Sequence, residues 1–167
     1  MLNKRIISND RPVYLVSFAD SRLYRSAARL AAQANQMGVY KGIYVFNEDD
    51  IPQDCKEKFK SRLIPGSRGY GYWVWKPYLI EKVMSQVENG SIVHYLDVGC
   101  WLNPKGLSRF KQYLDMVDES SGGVVGFQVG YQYPFESLDF YSLPEYKWTK
   151  ADLFKYFSIS MDSPLAK

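Results

Sequence analysis

The chain has little of what staples or metallates a small domain. Among 167 residues there are two cysteines, Cys55 and Cys100, and no C-x-x-C pair. That excludes a disulfide framework and argues against a structural zinc site. No apolar run approaches the length of a membrane span. The N-terminal stretch MLNKRIISNDRP has no apolar h-region of a signal peptide. A cytoplasmic location is therefore expected. Charge of one sign is also scarce, with 21 Lys and Arg against 18 Asp and Glu, a net +3. Such a weak, scattered excess lacks the basic stripe of a nucleic-acid binder. It suits a phosphorylated small substrate, or a loose peripheral contact with an anionic membrane surface. No internal repeat, low-complexity segment or second domain is visible.

Aromatic residues, by contrast, are abundant: 14 Tyr, 9 Phe and 4 Trp. Part of that excess is packing, and part is the kind of surface that stacks on sugars or bases. The hydrophobic fraction of 46% is that of a globular chain long enough to bury a substantial core.

Periodicity along the chain reads as an α/β domain. Residues 13–18 form a buried strand. Asp20 or Ser21 caps the next helix, whose apolar face runs Leu23, Ala27, Leu30, Ala31, Ala34 and Met37. Gly38 stops it, and residues 43–46 make a second strand. This is a βαβ unit with a parallel sheet. A short helix is expected over 53–60. The stretch SRLIPGSRGYGYWVW is irregular because of Pro65, Gly66, Gly69 and Gly71. Pro77 opens another helix, with Leu79, Val83 and Val87 inward and Gly90 as its end. A third strand covers 91–96. Asn103 and Pro104 begin a further helix with Leu107, Phe110, Leu114 and Val117 on its inner face. A strand is expected over 124–127. Thr149 with Asp152 marks a short helix through Tyr156.

The motif IVHYLDVGCWLN, residues 92–103, carries the chemistry. Asp97-Val98-Gly99 matches the start of an S-adenosylmethionine turn, but Trp101 and Asn103 stand where that turn needs further glycines. The competing reading is a sugar-nucleotide site. Ligands of open α/β sheets bind outside the carboxyl ends of the strands, where Asp97 lies. Alternation places Asp97 on the side of Tyr95, opposite Leu96. Gly99 lets a ligand approach. Lys76 at a helix mouth offers a point charge for phosphate, and Arg68 a second cation. Tyr70, Tyr72, Trp73 and Trp75 offer flat faces.

The sequence of SFAD, RGYGYWVWKPYLI and HYLDVGCWLN resembles bacterial glycosyltransferases of the GT-A type, close to those of capsule and lipopolysaccharide synthesis. The resemblance covers roughly residues 12–130. It implies a three-layer α/β/α fold with a mostly parallel sheet over a single domain, residues 1–167. It implies a nucleoside diphosphate sugar as donor and a glycan or other acceptor. Asp97 stands where the family has D-x-D, here in a D-x-G form. By that resemblance Asp97 binds Mn or Mg or holds the ribose-diphosphate, and Lys76 is the basic residue before the motif. Phe18, Ala19 and Asp20 would lie beside the base, and Arg68, Tyr72, Trp75 and Gly99 would complete the substrate site. The second carboxylate is missing, which leaves metal dependence open. The chain is also shorter than such enzymes, so a truncated module that binds sugar nucleotides or glycans without catalysis is the alternative.

Simpler readings compete. Asp97 could cap its own turn. Lys76 could be a solvated helix start. His94, the one histidine, reads as a packed strand residue, and Cys100 as a small buried one. The acidic run of residues 48–50 reads as a water-facing helix N-terminus. About half of the aromatic cluster at 70–78 is expected to face inward. The late aromatics, residues 131–146, would line an acceptor groove or pack a tail.

Overall fold

The structure, a computed structural model, describes residues 11–126 and 151–160. The fold is mixed α/β, built on a small open sheet of three parallel strands in the order β2-β1-β3. β1 (Val13–Phe18) is the middle strand, and all six of its residues are buried. A strand covered on both faces has no polar alternation, which is why it reads VYLVSF.

Its two faces feed two cores. Tyr14, Val16 and Phe18 pack with Trp75, Leu79 and Val83. Leu15 and Ala19 turn the other way, onto Leu30, Ala34 and Met37. Helix α1 (Tyr24–Met37) therefore lies on one face. It ends where Gly38 takes a left-handed conformation and donates its N–H to the Asn35 carbonyl. β2 (Tyr40–Phe46) follows, three residues longer than periodicity suggests, with Val13 paired to Tyr40 and Phe18 to Phe46. Helix α2 (Gln53–Phe59) contributes the buried Cys55 to the Tyr14 side.

A short helical turn, α3 (Gly69–Tyr72), precedes α4 (Lys76–Met84). α4 buries Leu79 and Val83 completely. It stops at Met84, short of Gly90, and Val87 is only partly buried beyond its end. β3 (Ile92–Tyr95) then pairs with the free edge of β1. Asn103 caps the turn Pro104–Gly106, which leads into α5 (Leu107–Glu119). Leu107 and Phe110 pack against the α1 side, but no residue of α5 is fully buried.

The strand expected at 124–127 is not formed over 124–126. Val124 is exposed, and the Ser120 hydroxyl donates to its carbonyl, closing a turn where a ladder partner would be needed. Phe127, Thr149 and the aromatics at 131–146 lie outside the described residues. Residues up to Val124 make one compact unit. In the second, α6 (Ala151–Tyr156) is the short helix expected there. No helix among the described residues is long and apolar enough to cross a membrane.

Candidate functional site

The chain leaves β1 through α1 to β2 on one side, then returns through α4 to β3 on the other. Connections therefore diverge between β1 and β3. That is the switch point, where an open parallel sheet leaves a crevice beyond its strand ends. A cavity of about 230 Å³ lies there, lined by Phe18, Asp20 and Leu23 after β1, and by Asp97, Val98 and Gly99 after β3. Gly69, Tyr70, Trp73 and Trp75 complete the lining.

Asp97 is the centre of a small polar constellation. Its Oδ1 accepts from the Tyr95 hydroxyl at 2.6 Å and from Lys76 Nζ at 3.2 Å. The Lys76 ammonium also sits 4.5 Å from the centre of the Tyr95 ring. Burial pushes the Asp97 carboxyl up, but the bonds from Tyr95 and Lys76 and the charge of Lys76 outweigh it and hold the carboxyl below its ordinary value. Burial and the Asp97 bond raise the Tyr95 hydroxyl, keeping it a neutral donor. Asp97 closes a turn in which Cys100 N–H donates to its carbonyl at 2.9 Å. A Cβ on Gly99 would meet nothing within 4 Å, so the turn presents open space to the crevice.

Asp20 guards the other side. It is buried, and its carboxylate accepts from the Arg22 backbone at 3.0 Å and from the Arg22 guanidinium at 2.6 Å. Those bonds hold its carboxyl below the usual range. From the end of β2, Glu48 accepts from Ser21 N–H at 2.7 Å, tying a third strand end to the same loop. The acidic run at 48–50 is thus a capped turn with two carboxylates engaged, Glu48 by Ser21 N–H and Asp50 by Asn47 N–H, not merely a water-facing helix start.

The aromatic wall has an unusual backbone. Gly69, Tyr70, Gly71, Tyr72 and Trp73 all have positive φ, from 46° to 88°. The result is one left-handed helical turn, closed by Tyr72 N–H to Arg68 O at 2.7 Å and Trp73 N–H to Gly69 O at 3.2 Å. For a non-glycine residue that conformation costs about 1–2 kcal/mol, and three of the five are not glycine. The surroundings impose it. Trp75 Nε1 donates to Gly69 O at 3.0 Å, and Gly71 N–H donates to Ser67 Oγ at 2.8 Å. The Tyr70 ring lies 5.8 Å from Phe18, and Phe18 stacks on Trp75 at 4.0 Å. The Trp73 indole lies so close over Gly69 that a Cβ there would come within 2.4 Å of it.

The structure thus gathers Phe18, Asp20, Trp75, Asp97 and Gly99 around one crevice. Lys76 joins through Asp97, and Arg68 lies 5.6 Å from the Trp73 ring. Ala19 turns away into the α1 core, and Tyr72 is exposed outside the lining. Cys100 is exposed rather than buried, because it ends the turn at the surface while its carbonyl is held by Arg29.

Arg29 is the residue that sequence reasoning missed. From α1 it donates to Val98 O at 2.7 Å and Cys100 O at 2.8 Å, fixing the Asp97 turn to the helix. The signal was the spacing of Arg22, Arg25 and Arg29 on the first turns after β1. Tyr95 was placed on the right side, but its bond to Asp97 was not foreseen.

The residues offer little to a resident metal. No group of three His, Cys, Asp or Glu side chains is assembled among the described residues. Asp97 Oδ1 already carries an ammonium and a phenol. Compared with family models, curated proteins and solved structures, the chain matches none of them.

Proposed function

We propose that the crevice binds a nucleoside diphosphate sugar and that the protein is a glycosyltransferase whose three-strand sheet is the core of a three-layer GT-A domain. The observation that carries this reading is the Lys76–Asp97–Tyr95 constellation at the switch-point crevice, beside a wall of stacked aromatic rings. A diphosphate needs a cation where charge develops as the sugar leaves. Lys76 supplies one at the crevice edge. The exposed Asp97 carboxylate accepts hydroxyls of ribose or donor sugar. Tyr70 and Trp73 offer faces to the base. A single free carboxylate oxygen suits Mn or Mg only as an ion carried in with the diphosphate and its own waters. Such an ion would add charge neutralisation at the leaving group.

A second reading, binding of sugar nucleotide without turnover, is favoured by one observation. Both carboxylates of the crevice, Asp20 and Asp97, are ion-paired and held below their ordinary pKa values. That makes each a poor general base.

Thermal-shift titration separates these. UDP, GDP, CDP and S-adenosylmethionine are each added with and without Mn to wild type, Lys76→Ala and Asp97→Asn. A ligand that binds only the folded state raises the melting temperature. A rise with one nucleoside diphosphate, lost in Lys76→Ala, supports the site. Hydrolysis or transfer of the matching nucleotide sugar then separates enzyme from binding module. A rise with S-adenosylmethionine alone sinks the reading in favour of a methyltransferase.

A further inference from the structure

Beyond the crevice, the same turn that carries Asp97 ends in a tryptophan the proposed donor site does not use. Trp101 is 73% exposed, the most exposed tryptophan among the described residues. Its ring is nonetheless fixed. The Arg29 guanidinium lies 4.3 Å from its centre, covering one face. That guanidinium is held by three acceptors: Val98 O, Cys100 O and Gln33 Oε1 at 3.0 Å. Gln33 Oε1 also accepts from Leu102 N–H at 3.3 Å, which ties down the residue after the ring. One indole face is therefore backed by a pinned cation, and the other is open to solvent.

We infer that this open face is a carbohydrate-stacking subsite for a pyranose ring of the acceptor. The name acceptor rests on the glycosyltransferase reading, while the stacking surface does not. An indole held in place loses little freedom on binding, and its flat apolar face suits the apolar face of a pyranose. The guanidinium spends three of its N–H donors on protein acceptors and lies behind the ring, away from the open face, which disfavours an anionic ligand on that face. A protein partner is disfavoured by the surroundings. Among its chain neighbours Cys100 and Asn103 are exposed and small and Leu102 turns into the core, so the ring is not part of a run of exposed large apolar side chains such as protein docking uses. The placement also suits the chemistry. Trp101 follows Asp97 by four residues, beyond the turn that borders the crevice, so a sugar stacked there stands next to the proposed donor.

The test uses the full chain labelled with 5-fluorotryptophan, with Trp101 assigned from Trp101→Phe. Cellotetraose, chitotetraose and maltotetraose are titrated, with sorbitol as an open-chain control. The expected result is a saturable shift of the Trp101 fluorine signal with at least one oligosaccharide and none with sorbitol. By calorimetry Trp101→Ala should bind that saccharide about tenfold more weakly. Arg29→Gln, which frees the ring, should weaken it by a smaller factor. Nucleotide thermal shifts on the same samples should be unchanged in Trp101→Ala. No movement with any saccharide, or movement caused equally by sorbitol or by nucleotide alone, overturns the subsite. A saccharide-dependent shift in a protein that no nucleotide stabilises keeps the subsite and fails the donor reading instead.

Discussion

Acidification offers a quantitative test of how β3 is packed. His94 lies largely buried between two rings, stacked on Tyr40 at 6.0 Å and 5.2 Å from Phe110. Its Nδ1 meets the Tyr40 hydroxyl at 2.9 Å. Burial lowers its pKa from 6.5 to about 4. Tyr40 is pushed up by burial and stays neutral. As the pH falls below 6.5, the unfolded chain takes up a proton that the folded chain refuses. The stability tied to neutral His94 is thus complete above 6.5 and is lost on the way down to about 4, where the folded state also protonates. At 1.36 kcal/mol per pKa unit the loss by about pH 5 is at most ~2 kcal/mol. That corresponds to a fall of ~4–8 °C in melting temperature for a chain of this size. Asp20, Glu48 and Asp97 are held low and act in the same direction, but below their ordinary values of 3.8 to 4.5. The upper part of the window therefore belongs to His94. The assay is urea unfolding from about pH 8 to 5 on wild type and His94→Gln, which keeps an acceptor for Tyr40 and does not titrate. The variant should be less stable throughout but lose the slope. Because the chain has one histidine, its ring proton resonance reports the pKa directly. A midpoint near 6.5, or an unchanged slope in the variant, refutes the packing described.

Gly99→Val should fold with a melting temperature within a few degrees of wild type, because its side chain enters open space. It should lose the stabilisation by nucleotide that wild type shows. Retained binding would mean that the ligand does not approach this turn. Gly71→Ala should be destabilised by about 2 kcal/mol or more, from a left-handed backbone and a Cβ that would meet Leu63 at 2.9 Å and the Arg62 carbonyl at 3.1 Å. An unchanged urea midpoint would show that the turn relaxes to a right-handed form.

The legibility of the chain follows from how local each signal is. β1, α1 and the Gly38 stop were readable because burial on both faces, a 3.6-residue stripe and a helix-ending glycine are written in neighbouring residues. The position of Asp97 after a strand was readable for the same reason. Its partners were not. Arg29 reaches the Asp97 turn across 69 positions, and Lys76 meets Asp97 across 21. The spacing of Arg22, Arg25 and Arg29 marks basic side chains after β1, but it does not say which distant turn they meet. The glycines of GYGYW announced irregular backbone, but its handedness came from the neighbours. Trp75 below and Ser67 beside the turn hold it, and three non-glycine residues follow. Cys100 was misread because smallness was taken for burial, whereas the end of an exposed turn put it at the surface.

The left-handed turn also divides the crevice into two materials. One wall ends β1, a strand hydrogen-bonded on both sides, so its amides should open only with global unfolding and exchange slowest of all. The other wall is held against its own backbone preference by a handful of bonds, and its amides should exchange through small local openings. A ligand entering such a cleft should then press on one firm wall and one yielding wall. The yielding side therefore sets how the cleft fits its guest, and a substitution at Ser67, which lies outside the lining, should alter fit as much as one at a lining residue.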